Sequence, residues 1–285
     1  MAVLLLGGTT ASGKSALAVS LAREHGAAIV SADAMTIYRG LSVGTAKPTL
    51  AERMGVPHFA IDIRDPDEPF DVAEFVAIVQ DVVAAHRHTI VVGGTTFWLS
   101  ALVRPLADLP PASPDVRQRF AEMVNPHQEL SRIDPEAAQR LHPNDRVRIV
   151  RALEVHAVTG RTQTAIHRDG ARGPALDATV AWMDRDDVYD RINARTMAMM
   201  DCGYVDETAD ALRRGYADTK PLKSFAYRHL AELVTGDLSR DEAIRRTARD
   251  TRHYAKKQRT WARNLGWTAR SEPEISALFG ALVSG

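Results

Sequence analysis

The chain has 285 residues, of which 45% are hydrophobic and 25% charged, and its formal net charge at pH 7 is +0. This composition predicts a soluble globular protein and excludes a global electrostatic attraction to nucleic acids or membranes. The single cysteine, Cys202, excludes an intrachain disulfide and a cysteine-cluster metal site. The N-terminal apolar run is too short for a secretion signal and no stretch has the length of a membrane span, so we expect a cytoplasmic protein.

The first informative segment is a glycine-rich turn between a predicted strand and a predicted helix. Val3–Leu6 is a short apolar run typical of a buried parallel strand, and Ser15–Arg23 is rich in helix-forming residues. Between them, Gly8–Ser15 reads GTTASGKS and fits the pattern G-x-x-x-x-G-K-[ST] of nucleotide-binding and ATP-binding proteins. The pattern predicts a phosphate-binding loop in which Lys14 neutralises phosphate oxygens and Ser15 can ligate Mg²⁺. A chance glycine turn is the alternative.

Apolar runs and helical patterns then alternate. Strands are predicted at Ala27–Val30, Phe59–Ile63 and Ile90–Gly94, and a helix at Val72–Ala85. This alternation predicts an α/β fold, a P-loop NTPase-like parallel sheet flanked by helices on both faces. In such folds ligands bind at the carboxyl ends of the strands. Asp33 and Thr95 both follow predicted strands, so we expect them at the same edge as the phosphate loop.

The spacing leaves the roles of these two residues open. Asp33 can act as a helix N-cap, as a ligand of Mg²⁺ or ribose, or as a base that takes a proton from an incoming nucleophile. The Gly93–Thr96 segment fits a tight turn between a strand and a helix, which the residues alone favour. The alternative is a second backbone nest over the ligand, with Thr95 as a hydroxyl contact.

A proline-rich break at Leu109–Pro114 ends the alternation. From Asp115 to His167 the pattern is helical throughout, with helix starts at Asp134 and Asp145. A loop is predicted at 168–177, a returning strand at 178–183, and mainly helices at 187–267. We therefore predict a catalytic core of residues 1–112 and 176–285 that carries a helical insertion domain of residues 113–175.

Positive charge is concentrated near the end of this neutral chain. Residues 240–270 contain ten Lys and Arg against three Asp and Glu. On one helix, a single face carries Arg245, Arg249, Arg252, Lys256, Arg259 and Arg263. The near absence of interleaved acids favours contact with nucleic-acid phosphates over an ordinary solvated face. Arg146, Arg148 and Arg151 form a second basic cluster in the predicted insertion.

In chain order, these features resemble the tRNA dimethylallyltransferase family, also called tRNA isopentenyltransferases. Beyond the phosphate loop, the resemblance is carried by SADAMTIYRGLSVGTAKP at 31–48, VPHFAIDIRDP at 56–66, VVGGTT at 91–96, LHPNDRVRIVRALEVHAVTG at 141–160 and AKKQRTWARN at 255–264. The first and last of these are far more specific than the phosphate loop. The chain departs from the family pattern at Thr96, where a glycine is usual, at Val147, where a glutamine is usual, and at Ala226.

The resemblance implies transfer of a dimethylallyl group from dimethylallyl diphosphate to the exocyclic amine of an adenosine in tRNA. That adenosine lies on the 3′ side of the anticodon in tRNAs that read codons beginning with U. Asp33 then matches the general base, and Thr95 and Lys14 match the other catalytic positions. The implied cofactor is Mg²⁺ on Ser15. The implied diphosphate-binding residues are Gly8, Thr9, Thr10, Ala11, Ser12, Gly13, Lys14, Ser15, Arg191 and Arg195.

The resemblance also implies a surface for the anticodon stem-loop, and we expect a monomer. The implied tRNA contacts are Asp33, Ala34, Met35, Thr36, Thr95, Arg117, Arg148, Arg151, Lys223, Tyr227, Arg252, Lys256, Lys257, Gln258, Arg259, Thr260 and Arg263. Two other enzymes share the core motif. One is an isopentenyltransferase acting on a free adenine nucleotide, which needs no basic terminal helix, and the other is a P-loop small-molecule kinase.

Overall fold

The structure is a computed structural model that describes residues 1–104, 106–170 and 175–285. The chain forms two compact units. One consists of Met1–Val103 and Leu176–Gly285, and the other of Arg104–Ala175. In the described part of the chain, no helix is both long and apolar enough to cross a membrane.

The first unit contains a six-stranded sheet in which every neighbouring pair is parallel, in the order β3-β2-β4-β1-β5-β6. The strands are β1 (Ala2–Gly8), β2 (Ala28–Ser31), β3 (His58–Phe59), β4 (His88–Gly93), β5 (Thr179–Met183) and β6 (Ala269–Arg270). The α/β prediction with a parallel sheet is therefore confirmed. Because the strands are parallel, the segments that follow β1, β2 and β4 emerge at one edge of the sheet.

One predicted strand is much shorter than expected. The apolar run Phe59–Ile63 contributes only its first residue to β3, because Ala60 and Asp62 adopt φ values of 58° and 55°. A left-handed backbone conformation cannot continue an extended strand. The chain therefore turns away from the sheet at this point.

The side chains of β1 point alternately to the two faces of the sheet, and helices cover each face. Leu5 packs in the layer that contains Val79 and Leu99, whereas Leu4 packs in the layer that contains Leu17 and Phe279. The first four helices are α1 (Lys14–His25), α2 (Leu50–Arg53), α3 (Val72–Ala85) and α4 (Thr96–Val103). The predicted bounds of α3 agree with the structure.

The second unit is helical in the residues described. Its helices are α5 (Pro114–Ala121), α6 (Pro126–Ile133), α7 (Pro135–Arg140), α8 (Arg146–Thr159) and α9 (Gln163–Arg168). Asp134 and Asp145 cap the N-termini of α7 and α8, as predicted, because their carboxylates accept hydrogen bonds from Ala137 N and Arg148 N. The predicted loop at 168–177 lies partly outside the described residues, at 171–174.

The first unit resumes with α10 (Val188–Asp201), α11 (Tyr204–Arg213), a 3-10 turn (Tyr216–Asp218), α12 (Arg228–Thr235), α13 (Arg240–Asn264) and α14 (Glu272–Ser284). No helix was predicted at α14, whose Ile275 and Phe279 complete the layer over α1. The signal was present, because Ser271 and Glu274 form a capping box at its start.

Candidate active site

The phosphate loop, Gly8–Ser15, connects β1 to α1 as predicted. Its turn uses left-handed conformations at Ala11 and Gly13, with φ values of 63° and 96°. The Lys14 ammonium folds back and donates to the carbonyl oxygen of Thr9 at 3.1 Å. The hydroxyl of Ser12 is fully buried and has no hydrogen-bond partner among the described residues. An unpartnered buried hydroxyl inside a phosphate loop is suited to an anionic ligand.

Two arginines of α10 reach the same loop. Arg191 Nε donates to the carbonyl oxygen of Ala11 at 2.7 Å, and Arg195 Nη2 donates to Thr10 Oγ1 at 2.6 Å. They lie one helical turn apart, so both side chains point the same way. The structure thus brings both predicted diphosphate-binding arginines to the phosphate loop.

The second loop, Gly93–Thr95, packs against the turn that contains Asp33. Thr95 N donates to the carbonyl oxygen of Ala32 at 3.1 Å, and Thr95 Oγ1 accepts from Ala34 N at 3.1 Å. A Cβ on Gly93 would lie 2.0 Å from the carbonyl oxygen of Ala32, so only glycine permits this approach. The Asp33 carboxylate itself accepts from Met35 N at 2.9 Å. The segment thus forms the predicted tight turn between β4 and α4, and its contact with a ligand stays a prediction.

Gln258 of α13 joins the two loops. Its Oε1 accepts from Thr10 N at 2.9 Å and its Nε2 donates to the carbonyl oxygen of Gly94 at 2.8 Å. Tyr254, one turn earlier, donates its hydroxyl to the same carbonyl at 3.1 Å. Gln258 is buried, which corrects its placement among the exposed tRNA contacts. This scaffold role was not predicted, although the motif AKKQRTWARN contains the residue.

These segments line one cleft. Its polar wall includes Thr10, Lys14, Ser15, Asp33, Thr36 and Arg195, and its apolar wall includes Val19, Ile29, Ile61 and Val92. Desolvation by the surrounding protein lowers the pKa of Lys14 to about 8. The Asp33 carboxylate opposes this shift and the Arg195 guanidinium adds to it. Two cations can bind an anion, and the carboxylate beside them can accept a proton from a neighbouring nucleophile.

Magnesium fits the donors of this cleft. Ser15 is exposed at the start of α1, and Asp33 lines the same cleft. Within the described ranges, no group of three or more His, Cys, Asp or Glu could hold a metal ion. Mg²⁺ does not require such a cage, because it retains several waters and binds substrate phosphates through one or two protein oxygens.

The basic face of α13 has more acidic partners than the sequence indicated. Arg245 pairs with Glu242, and Arg249 pairs with Asp250 at 3.0 Å. Arg259 makes a bidentate pair with Asp184 at 2.6 and 3.1 Å. The expectation of missing acids is therefore wrong, because helix neighbours and the segment after β5 supply them.

Several other polar residues of α13 have no acidic partner among the residues described. Lys256, Lys257 and Arg263 are exposed and form no ion pair with any residue that the structure describes. Arg252 bonds to Asn193, and exposed Thr260 donates to the carbonyl oxygen of Lys256 at 3.1 Å. Another side of the helix packs through small residues, with Ala248, Ala255 and Ala262 buried. The free cations thus concentrate at Lys256, Lys257 and Arg263.

Tyr227 cannot meet an external RNA in this structure. It is fully buried, and its hydroxyl donates to Glu207 Oε1 at 2.7 Å. This corrects its prediction as a tRNA contact. Lys223 is exposed and pairs with Asp218 at 2.9 Å.

In the helical unit, two of the three predicted tRNA contacts bind an internal acid. Arg117 and Arg151 both pair with Glu154, at 2.9 and 2.8 Å, and Glu154 is fully buried. Hydrogen bonds from these arginines and from Ser113 N hold the pKa of Glu154 low against the effect of burial. Arg148 is exposed and pairs with Asp145 at 3.4 Å. The structure thus gives Arg117 and Arg151 a structural role.

Comparison with known proteins agrees with the site. The family described as IPP transferase matches residues 36–265. The chain is 42% identical over 269 residues to tRNA dimethylallyltransferase 1 of Citrifermentans bemidjiense, covering 91% of this chain and 88% of the relative. It is 43% identical over 275 residues to tRNA dimethylallyltransferase of Syntrophobacter fumaroxidans, covering 92% and 80%. The crystal structure of tRNA isopentenylpyrophosphate transferase from Bacillus halodurans superposes with a TM-score of 0.69 at 32% identity, covering 99% of this chain and 97% of that one.

Proposed function

The chain belongs to the IPP transferase family, and from that premise we propose that it transfers a dimethylallyl group from dimethylallyl diphosphate to tRNA. The acceptor is the exocyclic amine of the adenosine 3′-adjacent to the anticodon in tRNAs that read codons beginning with U. The observation that carries the proposal is the cleft in which Lys14 and Arg195 line the same walls as Asp33.

The diphosphate end of the cleft promotes departure of the leaving group. As the allylic C–O bond breaks, negative charge grows on the diphosphate. Loop N–H groups, Lys14 and Arg195 stabilise that charge, with Arg191 supporting the loop from outside. Mg²⁺ held by Ser15, with Asp33 nearby, would supply further positive charge to the diphosphate.

Asp33 acts on the acceptor. An aromatic exocyclic amine is a weak nucleophile, and a carboxylate that accepts its proton assists most as the new C–N bond forms. Thr95 holds the Asp33 turn through Ala34 N. Ala34, Met35 and Thr36 belong to the same turn, where an adenine flipped from its stack would enter.

The exposed cations of α13 bind the phosphates of the tRNA, and Arg148 of the helical unit contributes a further charge. Because tRNA is found in the cytoplasm, we place the enzyme there. We also propose that it acts as a monomer.

One assay tests the proposal. The protein is incubated with labelled dimethylallyl diphosphate and tRNA, with the same donor and AMP, and with ATP and small-molecule acceptors. We expect label in tRNA at the adenosine next to the anticodon. Label in AMP alone would indicate an isopentenyltransferase for free nucleotides, and phosphoryl transfer from ATP would indicate a kinase.

A further inference from the structure

The loop Ser42–Pro48 forms a wall of the cleft. Three of its residues, Thr45, Ala46 and Pro48, line the same cleft as Lys14 and Asp33. Its last residues are fixed by Lys47, whose buried ammonium donates to the carbonyl oxygen of Tyr38 at 2.6 Å and to Asp62 Oδ1 at 2.5 Å. Ala46 has a left-handed φ of 52°, a strained conformation that surrounding contacts must maintain.

The first residues of the loop are fixed by one carboxylate of α11. Glu207 Oε2 accepts from Ser42 N at 2.6 Å and Val43 N at 2.8 Å, and Glu207 Oε1 accepts from Gly44 N at 3.0 Å. Tyr227 donates its hydroxyl to the same Oε1. Successive N–H groups that converge in this way form an anion-binding nest, and an internal side chain fills it here.

Close packing leaves this arrangement little freedom. A Cβ on Gly44 would lie 2.4 Å from the ring of Tyr204 and 2.5 Å from that of Tyr227. The loop thus has a carboxylate anchor at its start, a lysine anchor at its end, and two buried tyrosines behind it. None of these anchoring side chains lines the cleft.

We propose that Glu207 is a positioning residue for prenyl transfer, whose carboxylate fixes the Ser42–Pro48 loop as the cleft wall facing Asp33. The inference rests on the proposed function. Four hydrogen bonds converge on two carboxylate oxygens, and a glutamine offers only one acceptor oxygen. Glu207→Gln therefore places an amide donor against N–H donors and releases the start of the loop.

The test compares Glu207→Gln with Asp206→Asn. Both residues lie in the first turn of α11, so each variant loses one negative charge at the same helix end. Asp206 is exposed and has no hydrogen bond to a residue in the described ranges, which makes it a matched control. For Glu207→Gln we expect kcat/KM for tRNA prenylation to fall about tenfold or more, since small misplacements in a site cost about that much. Asp206→Asn should match the unaltered chain.

Two further readouts separate positioning from loss of fold. The amides of Ser42, Val43 and Gly44 should exchange hydrogen faster in Glu207→Gln, while equilibrium binding of dimethylallyl diphosphate is retained. Tyr227→Phe, which removes one of the four hydrogen bonds, should give a smaller loss of kcat/KM. Faster exchange without loss of kcat/KM would overturn the inference. Losses of kcat/KM in Glu207→Gln and Tyr227→Phe that only follow a lower thermal stability would overturn it as well. An unaltered chain that does not prenylate tRNA would instead overturn the proposed function.

Discussion

Thr10 and Gln258 lie 248 positions apart in the chain, and a hydrogen bond of 2.9 Å joins the Thr10 N–H to the Gln258 side-chain oxygen. The same amide holds the Gly94 carbonyl, so α13 fixes two loops that emerge from adjacent strands. The helix that presents basic residues to solvent therefore also holds the phosphate loop.

Gln258→Ala should weaken the binding of dimethylallyl diphosphate about tenfold. The substitution leaves the Thr10 N–H without its partner and removes one of the donors to the Gly94 carbonyl, which keeps the Tyr254 hydroxyl. An unsatisfied group of this kind costs about 1–3 kcal/mol. Lys257→Ala, at the exposed neighbouring position, is the control and should leave donor binding unchanged. Equal donor affinities for the two variants, measured by calorimetry, would show that the bridge is dispensable.

Asp33→Asn should lower kcat about a hundredfold or more while the affinity for tRNA changes little, because a positioned base contributes about that much. The measurement is single-turnover transfer at saturating donor and tRNA. Asn retains an oxygen that can accept from Met35 N, so the turn is preserved. A rate near that of the unaltered protein would remove Asp33 from the role of base.

Donor binding should weaken as the pH rises above about 8. Desolvation lowers the pKa of Lys14 to about 8, so the side chain is charged below this pH and loses its charge above it. A bound diphosphate favours the charged form, and binding above pH 8 must therefore take up a proton. Calorimetry in buffers of different ionisation enthalpy should detect that uptake at pH 9 and little at pH 7.5.

Lys14→Arg is the control for this effect, because a guanidinium stays charged throughout the range. Its affinity for the donor should be lower overall but free of the decline above pH 8. The same decline in both proteins would assign the pH dependence to another group.

Neutralising exposed lysines of α13 should weaken tRNA binding and reduce its salt dependence. For Lys256→Ala combined with Lys257→Ala, the slope of log affinity against log salt should fall by about 0.7 to 0.9 per lost phosphate contact. Arg245→Ala combined with Arg249→Ala removes two charges that are already paired with Glu242 and Asp250, so its effect should be smaller. An unchanged slope in the folded lysine variant would indicate that these lysines belong to an ordinary solvated surface.

Val147→Gln should increase the affinity for the anticodon stem-loop about fivefold. Val147 is 83% exposed on α8, where the family pattern has glutamine, and an amide can hydrogen-bond a base edge that valine cannot. Val158→Gln, at a 46% exposed position of the same helix, is the control. If both variants bind the stem-loop like the unaltered chain, α8 does not read the anticodon through this position.

Local patterns determined much of this protein. Residue spacing predicts the phosphate loop, the bounds of α3, the caps at Asp134 and Asp145, and the parallel sheet. Glycine turns, caps and apolar periods act over a few residues, so the sequence alone reveals them. The parallel direction of the strands also placed Asp33 and Thr95 at the edge that carries the phosphate loop.

Only the tertiary structure decided which polar side chains are buried or paired within the protein. The sequence does not distinguish Arg259, paired with Asp184, from exposed Lys257, nor buried Tyr227 from a surface aromatic. Gln258, Glu207 and Glu154 find their partners in segments distant along the chain. Periodicity tells which face of a helix is apolar. The partner of a buried polar group depends instead on which distant segment packs against it, because its hydrogen bonds form only when that packing is complete.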